Sequence, residues 1–107
     1  MLTIDDFAKV ELRVATIVAA EAHPNADRLL VLRVDLGNEI RQLVAGIRAH
    51  YQPDELLGKQ IVVVVNLEPA TLRGVESQGM LLAASDAEGR LAIVTPEKTV
   101  ATGAKVK

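Results

Sequence analysis

The stretch Glu11-Leu12-Arg13-Val14-Ala15-Thr16-Ile17-Val18-Ala19-Ala20 decides the fold. Alternate residues of a strand share a face, and Leu12 and Val14 fall on one parity. Ile17 and Ala19 repeat on the opposite parity. A one-residue slip carries a strand's apolar set to its other face, so the change predicts a bulge near Ala15 or Thr16. A long, bent first strand is what a small closed barrel requires, because closure demands tilt and curvature.

The elements downstream fit such a barrel. A loop around Pro24 and Asn25 leads into a second strand, Leu29 to Leu36, with Leu30, Leu32, Val34 and Leu36 on one face. Gly37-Asn38 is a two-residue hairpin turn. The third strand runs from Ile40 to Ile47, with Gly46 a candidate bend. A short helix follows, with Pro53 at its first position, Asp54 and Glu55 in its first turn and Gly58 at its stop. Gln52 is a poor cap for it. The fourth strand spans Gln60 to Leu67, and its unbroken run Ile61 to Val65 implies burial on both faces.

Glu68 to Gly79 reads as a turn-rich loop, Met80 to Ser85 as a fifth strand and Arg90 to Thr95 as a sixth after a turn at Glu88-Gly89. The tail from Val100 to Val106 can add one more strand. At the other end, Thr3 and Asp6 have the spacing of a capping box, with Leu2 and Phe7 placed for a hydrophobic staple. Periodicity alone supports a small all-β barrel with short helices and extra terminal elements. Five strands with a helix between the third and fourth is the order of the OB-fold, a five-stranded Greek-key barrel.

Length and composition bound the rest. A chain of 107 residues suits one domain covering residues 1–107, and 50% hydrophobic with 24% charged residues is a globular composition. The absence of cysteine excludes disulfides and thiolate metal sites. No apolar run approaches the roughly 18 residues of a membrane span, and an N-terminus that soon reaches Asp5 and Asp6 is no signal peptide. A cytoplasmic protein with no membrane partner is therefore expected. The net charge of −2 and the two aromatics, Phe7 and Tyr51, argue mildly against a partner held by charge or base stacking alone.

Catalytic constellations are missing. No phosphate-binding glycine loop, dinucleotide fingerprint, zinc-binding helix motif or nucleophile elbow is present. His23 and His50 stand in separate loops and read as surface residues. The acid pairs Asp5-Asp6 and Asp54-Glu55 are explained by helix first turns. No enzyme activity, cofactor or metal is expected.

Three segments together carry a resemblance. They are Asp6 to Val14 followed by His23-Pro24-Asn25-Ala26-Asp27-Arg28-Leu29; Val34 to Gly37 followed by Arg41 to Ile47; and Val65-Asn66-Leu67-Glu68-Pro69 followed by Arg73-Gly74-Val75-Glu76-Ser77-Gln78-Gly79-Met80. The set is similar to the tRNA-binding domain family, which includes the C-terminal domain of bacterial methionyl-tRNA synthetase and free-standing tRNA-binding proteins. The resemblance implies an OB-fold, a homodimer built from the terminal additions, and a grip on the outer corner of tRNA by shape. It also implies a partner in a methionyl-tRNA synthetase catalytic domain, with aminoacylation performed there.

Site residues follow from both readings. Arg13 and Arg28 offer guanidinium forks to phosphate beside the binding face, and Arg33 and Arg41 extend that face or stay solvated. In the segment Arg73 to Met80, glycines allow close backbone approach, while Ser77 and Gln78 offer short hydrogen-bonding groups and Met80 an apolar contact. The resemblance places RNA contacts at Asn66, Ser77, Gln78 and Met80. The alternative for that segment is a turn-rich loop with Met80 starting a core strand.

The chain departs from the family's pattern at Ala15, where glycine is usual, and at Glu68, Ala70 and Thr71, where lysines are frequent. Fewer cations imply weak to moderate affinity and a shallower salt dependence. Two other readings stay open. One is a peptide-binding chaperone like the related CsaA group, whose members lack the Ser-Gln-Gly-Met segment. The other is a dimerisation domain whose RNA binding has decayed.

Overall fold

The computed structural model describes residues 1–107. Its elements in chain order are α1 (Ile4–Phe7), β1 (Leu12–Ala22), β2 (Leu30–Asp35), β3 (Ile40–Ala45), α2 (Pro53–Leu56), β4 (Gln60–Val64), β5 (Ala70–Leu72), β6 (Val75–Ser77), β7 (Met80–Leu81), β8 (Ala83–Ser85), β9 (Leu91–Ile93) and β10 (Lys105–Val106). The main sheet has the order β3-β2-β1-β4-β7, all antiparallel, which is the OB-type barrel.

Local chemistry sets the ends of the elements as expected. Thr3 Oγ1 accepts from the Asp6 amide and Asp6 Oδ2 accepts from the Thr3 amide, so the capping box forms. Leu2 and Phe7 both remain exposed, which leaves the staple little to bury. Between β2 and β3, Leu36 N–H donates to Glu39 O, and Gly37 alone takes a positive φ, +91°, in the two-residue turn. Gln52 makes no side-chain cap bond to α2.

The first strand differs from its reading in one informative way. The register shift lies between Ile17 and Ala19, not at Ala15 or Thr16. Ala15 pairs regularly with Ile61, and Ile17 faces the same interior. Leu12 faces the other way and packs with Val62 and Val64 in a second cluster, closed over by Leu82 and Val106. The parity change therefore records burial on both faces of β1. The true bulge leaves Val18 pointing to solvent. The fourth strand is likewise buried on both sides, with Ile61, Val63 and Val65 in the barrel and Val62 and Val64 in the outer cluster.

Two further segments were misjudged by periodicity. Glu68 to Gly79 contains a hairpin, β5–β6, turning at Arg73-Gly74 with φ of 53° and 89°. Positive φ at both central residues is the type I′ arrangement, which a non-glycine first residue disguises in sequence. Met80 to Ser85 is broken at Leu82, so that β7 joins the barrel while β8 leaves it to pair with β9. The tail does add a strand. Where the pairing of β1 with β2 stops, at Thr16 opposite Asp35, β10 takes over the vacated edge of β1 at Leu12 and Arg13.

Candidate nucleic-acid interface

The barrel closes between β3 and the segment before β7, and side chains perform much of the closure. Ser77, only 5% exposed, accepts from the Val44 amide at 3.0 Å and donates to Gly79 O at 2.9 Å. Gln78 Oε1 accepts from the Gln42 amide at 3.0 Å, while the Gln78 amide donates to Gln42 O at 2.8 Å. Gly79 has φ +149°, and a Cβ there would fall 3.0 Å from Val64 O and 3.2 Å from Leu43 Cδ2. The Ser77-Gln78-Gly79 segment is thus a seam that replaces a regular ladder.

Beside this seam, two loops meet. The loop between β1 and β2 carries His23, which is 3% exposed rather than a surface residue. Its Nδ1 accepts from the Asn25 amide at 2.9 Å, which leaves the ring proton on Nε2, donated to Leu72 O at 2.9 Å. The ring ties that loop to the β5–β6 hairpin. Arg73 at the hairpin tip adds long contacts from Nε and Nη2 to Asn25 O, at 3.4 and 3.3 Å.

Cations gather on this rim. Ion pairs occupy Lys9, Arg13, Arg41 and Arg90. Arg28, Arg33, Arg48 and Arg73 have none. The Arg48 amide donates to Arg28 O and its Nη1 to Ala26 O, each at 3.3 Å, which draws Arg48 to the same loop as Arg28 and Arg73. Arg33 points outward from β2, paired across the strands with Ala19 and Gln42. Three arginines without ion pairs, Arg28, Arg48 and Arg73, therefore gather around a loop that also carries the exposed Asp27, in a chain of net charge −2.

Between the hairpin and the outer side of β3 lies a cleft of about 290 Å³, lined by Val44, Leu67, Glu68, Ala70, Leu72, Ser77, Gly79 and Met80. Met80 stays 49% exposed beside it.

The sequence-derived residues thus divide. Arg73 reaches the loop that carries the exposed Arg28, and Met80 opens onto the cleft. Ser77 lines the cleft wall with its hydroxyl spent inside the fold, and Gln78 retains a free amide nitrogen. Asn66 stays exposed, and its side chain latches two backbone groups of the segment before β1. Its Oδ1 accepts from the Glu11 amide at 2.8 Å and its Nδ2 donates to Lys9 O at 2.6 Å. Arg13 belongs to that same neighbourhood, donating to Glu11 Oε1 at 2.8 Å and to Gly103 O at 3.1 Å. Arg41 donates to Glu39 and to the carbonyls of Val65 and Gln78. Sequence reasoning passed over Arg48 and Leu72, which carry no local motif and matter only through contacts distant in the chain.

A barrel of this order, with cations on its β1–β2 loop and on the hairpin leading to its last strand, has the architecture of an oligonucleotide-binding barrel. The family model described as "Putative tRNA binding domain" matches residues 12–105, and the chain belongs to that family. It is 57% identical over 106 residues to the methionine–tRNA ligase of Thermococcus kodakarensis, covering 99% of this chain and 14% of that ligase. The chain thus spans about one-seventh of that relative. Among solved structures, the MetRS-related protein from Pyrococcus horikoshii matches with a TM-score of 0.94 and 38% identity, over 100% of this chain and 98% of that one. The chaperone CsaA from Bacillus anthracis matches with a TM-score of 0.90 and 30% identity, over 100% and 99%.

Proposed function

We propose that residues 1–107 act as one non-catalytic module that binds tRNA at its outer corner, as a cytoplasmic homodimer serving the catalytic part of a methionyl-tRNA synthetase. The observation that carries this reading is the rim on which Arg28, Arg48 and Arg73 stand without acidic partners around one loop. Guanidinium groups without partners meet phosphate by charge and by forked hydrogen bonds. Membership of the tRNA-binding family and the likeness to methionine–tRNA ligases support tRNA as the nucleic acid. No helix is long and apolar enough to cross a membrane.

Dimerisation is supported by an exposed apolar surface at the chain's two ends. Ile4, Phe7, Ala8, Val10 and Val106, flanked by Lys105 and Lys107, line a cleft of about 230 Å³ where α1 meets the tail. An isologous two-fold contact would cover it in both copies. A monomer mass by light scattering at micromolar concentration would rule the dimer out.

The peptide-binding reading has one observation in its favour, the CsaA likeness combined with the apolar cleft beside Met80. Titration with unfractionated tRNA at about 50 and 200 mM salt separates the two readings. Binding that weakens with salt is expected. Absence of binding at about 50 mM salt and up to about 100 μM protein rejects the tRNA reading.

A further inference from the structure

The cleft between the β5–β6 hairpin and β3 has a composition that the arginine rim does not explain. Val44 forms its floor, and Leu72 and Met80 stand beside it 39% and 49% exposed. No cation lines it. Its polar lining is Ser77, whose hydroxyl is spent on Val44 N–H and Gly79 O, and Glu68, which has no hydrogen bond or ion pair within the chain. A phosphate would be repelled by that carboxylate. An ionised carboxylate is an acceptor only, so an occupant must bring a hydrogen-bond donor to it. At about 290 Å³ the cleft falls just below the roughly 300–1,000 Å³ of pockets that take drug-sized ligands, which suits one planar ring system.

We propose that this cleft takes a single unstacked nucleobase carrying an exocyclic amine, with Leu72 and Met80 against its ring and Glu68 accepting from the amine. The proposal rests on the RNA-binding reading above and names the chemistry of that site. Charge divides along it: Arg73 follows Leu72 in the chain, so the sugar-phosphate backbone runs over the basic rim while the base turns into the acidic, apolar cleft. Sequence-sensitive recognition of RNA works through such splayed bases. Carboxylates pair with the amino group of cytosine, whereas uracil presents an acceptor at the same edge.

The chain has two methionines, so protein labelled with carbon-13 at the methionine methyls gives two signals, from Met1 and Met80. Binding of unfractionated tRNA at about 50 mM salt should move the Met80 signal upfield by ring current. Met80→Ala should weaken tRNA roughly five- to tenfold with an unchanged salt slope, the scale of losing part of one apolar contact. Met80→Leu, which keeps that contact, should bind within about twofold of the parent. Cytidine monophosphate should shift the Met80 signal at lower concentration than uridine monophosphate, and Glu68→Ala should abolish the difference. Salt-sensitive tRNA binding with an unmoved Met80 signal and unaltered Met80→Ala affinity overturns the base cleft and leaves the RNA reading standing. No tRNA binding at all removes that reading itself. An apolar peptide that moves the Met80 signal where tRNA does not makes the cleft a peptide groove.

Discussion

His23 Nε2 donates to the carbonyl oxygen of Leu72 across 2.9 Å, and with the longer contacts from Arg73 to Asn25 O this bond holds the β1–β2 loop against the β5–β6 hairpin. The ring is buried and its other nitrogen is occupied by the Asn25 amide, so both polar atoms serve the junction. His23→Ala should cost about 1–3 kcal/mol in urea unfolding, because Leu72 O and Asn25 N–H lose their partner. It should also weaken tRNA binding, since Arg28 and Arg73 then sit on separate, loosened loops. Stability equal to the parent would show the junction is held by other contacts.

Ser77 and Met80 should separate in their effects. Ser77→Ala leaves the Val44 amide unpaired in the barrel seam, and a loss of about 1–3 kcal/mol is expected in unfolding. Met80→Ala removes a half-exposed side chain and should change stability by less than about 1 kcal/mol while reducing affinity. Equal stability of the two variants would contradict the seam.

Each arginine of the rim should count separately in salt titrations. Arg28→Ala, Arg48→Ala and Arg73→Ala should each lower the slope of log K against log salt by about one unit. Arg90→Ala is the control, because Arg90 is bound to Asp86 and Glu88 on a different hairpin. A slope unchanged in all three rim variants would place the phosphates elsewhere.

Gly103 anchors the tail. It has φ +90°, its amide donates to Val14 O at 2.7 Å, and a Cβ there would collide with the Leu36 carbonyl oxygen. Gly103→Ala should therefore cost at least about 2 kcal/mol, read as a lower urea midpoint. Gly89→Ala, with φ +83° and open space around it, should cost less. The reverse order would mean the tail is not packed as described.

Acid should weaken the fold in part through Glu39 and Asp86. A hydrogen bond from Arg41 holds the Glu39 carboxyl below the usual range, and hydrogen bonds from the Arg90 side chain and then its backbone do so for Asp86. Folded values below unfolded ones mean the contribution is full above the ordinary carboxylate pKa. It is lost as pH falls through the depressed values. Both groups face solvent, so the effect is small and screened by salt. Glu39→Gln with Asp86→Asn should flatten the acid limb of a stability–pH curve at low salt; an unaltered limb would assign it to other carboxylates.

Much of this architecture is legible in the chain because it depends on neighbours in sequence. The Thr3–Asp6 capping box, the turn at Gly37-Asn38, the face of β2 that carries Leu30, Leu32 and Val34, and the two-sided burial of β4 are local patterns, and the structure repeats each of them. The hairpin at Arg73-Gly74 was hidden because arginine is an uncommon residue at positive φ.

What the sequence by itself determined was the first four strands with their short helix, most of the faces they bury, and the family. The tertiary structure alone decided what the polar residues do. Ser77 reaches Val44 across 33 positions, His23 reaches Leu72 across 49 and Asn66 reaches Lys9 across 57. Periodicity reports which face of a strand is apolar, but a hydrogen bond between distant residues depends on how the strands are registered. That register placed Asn66 and Arg13 in one surface network around Glu11, and brought Arg48, which no motif marked, to the loop that carries Arg28 and that Arg73 reaches.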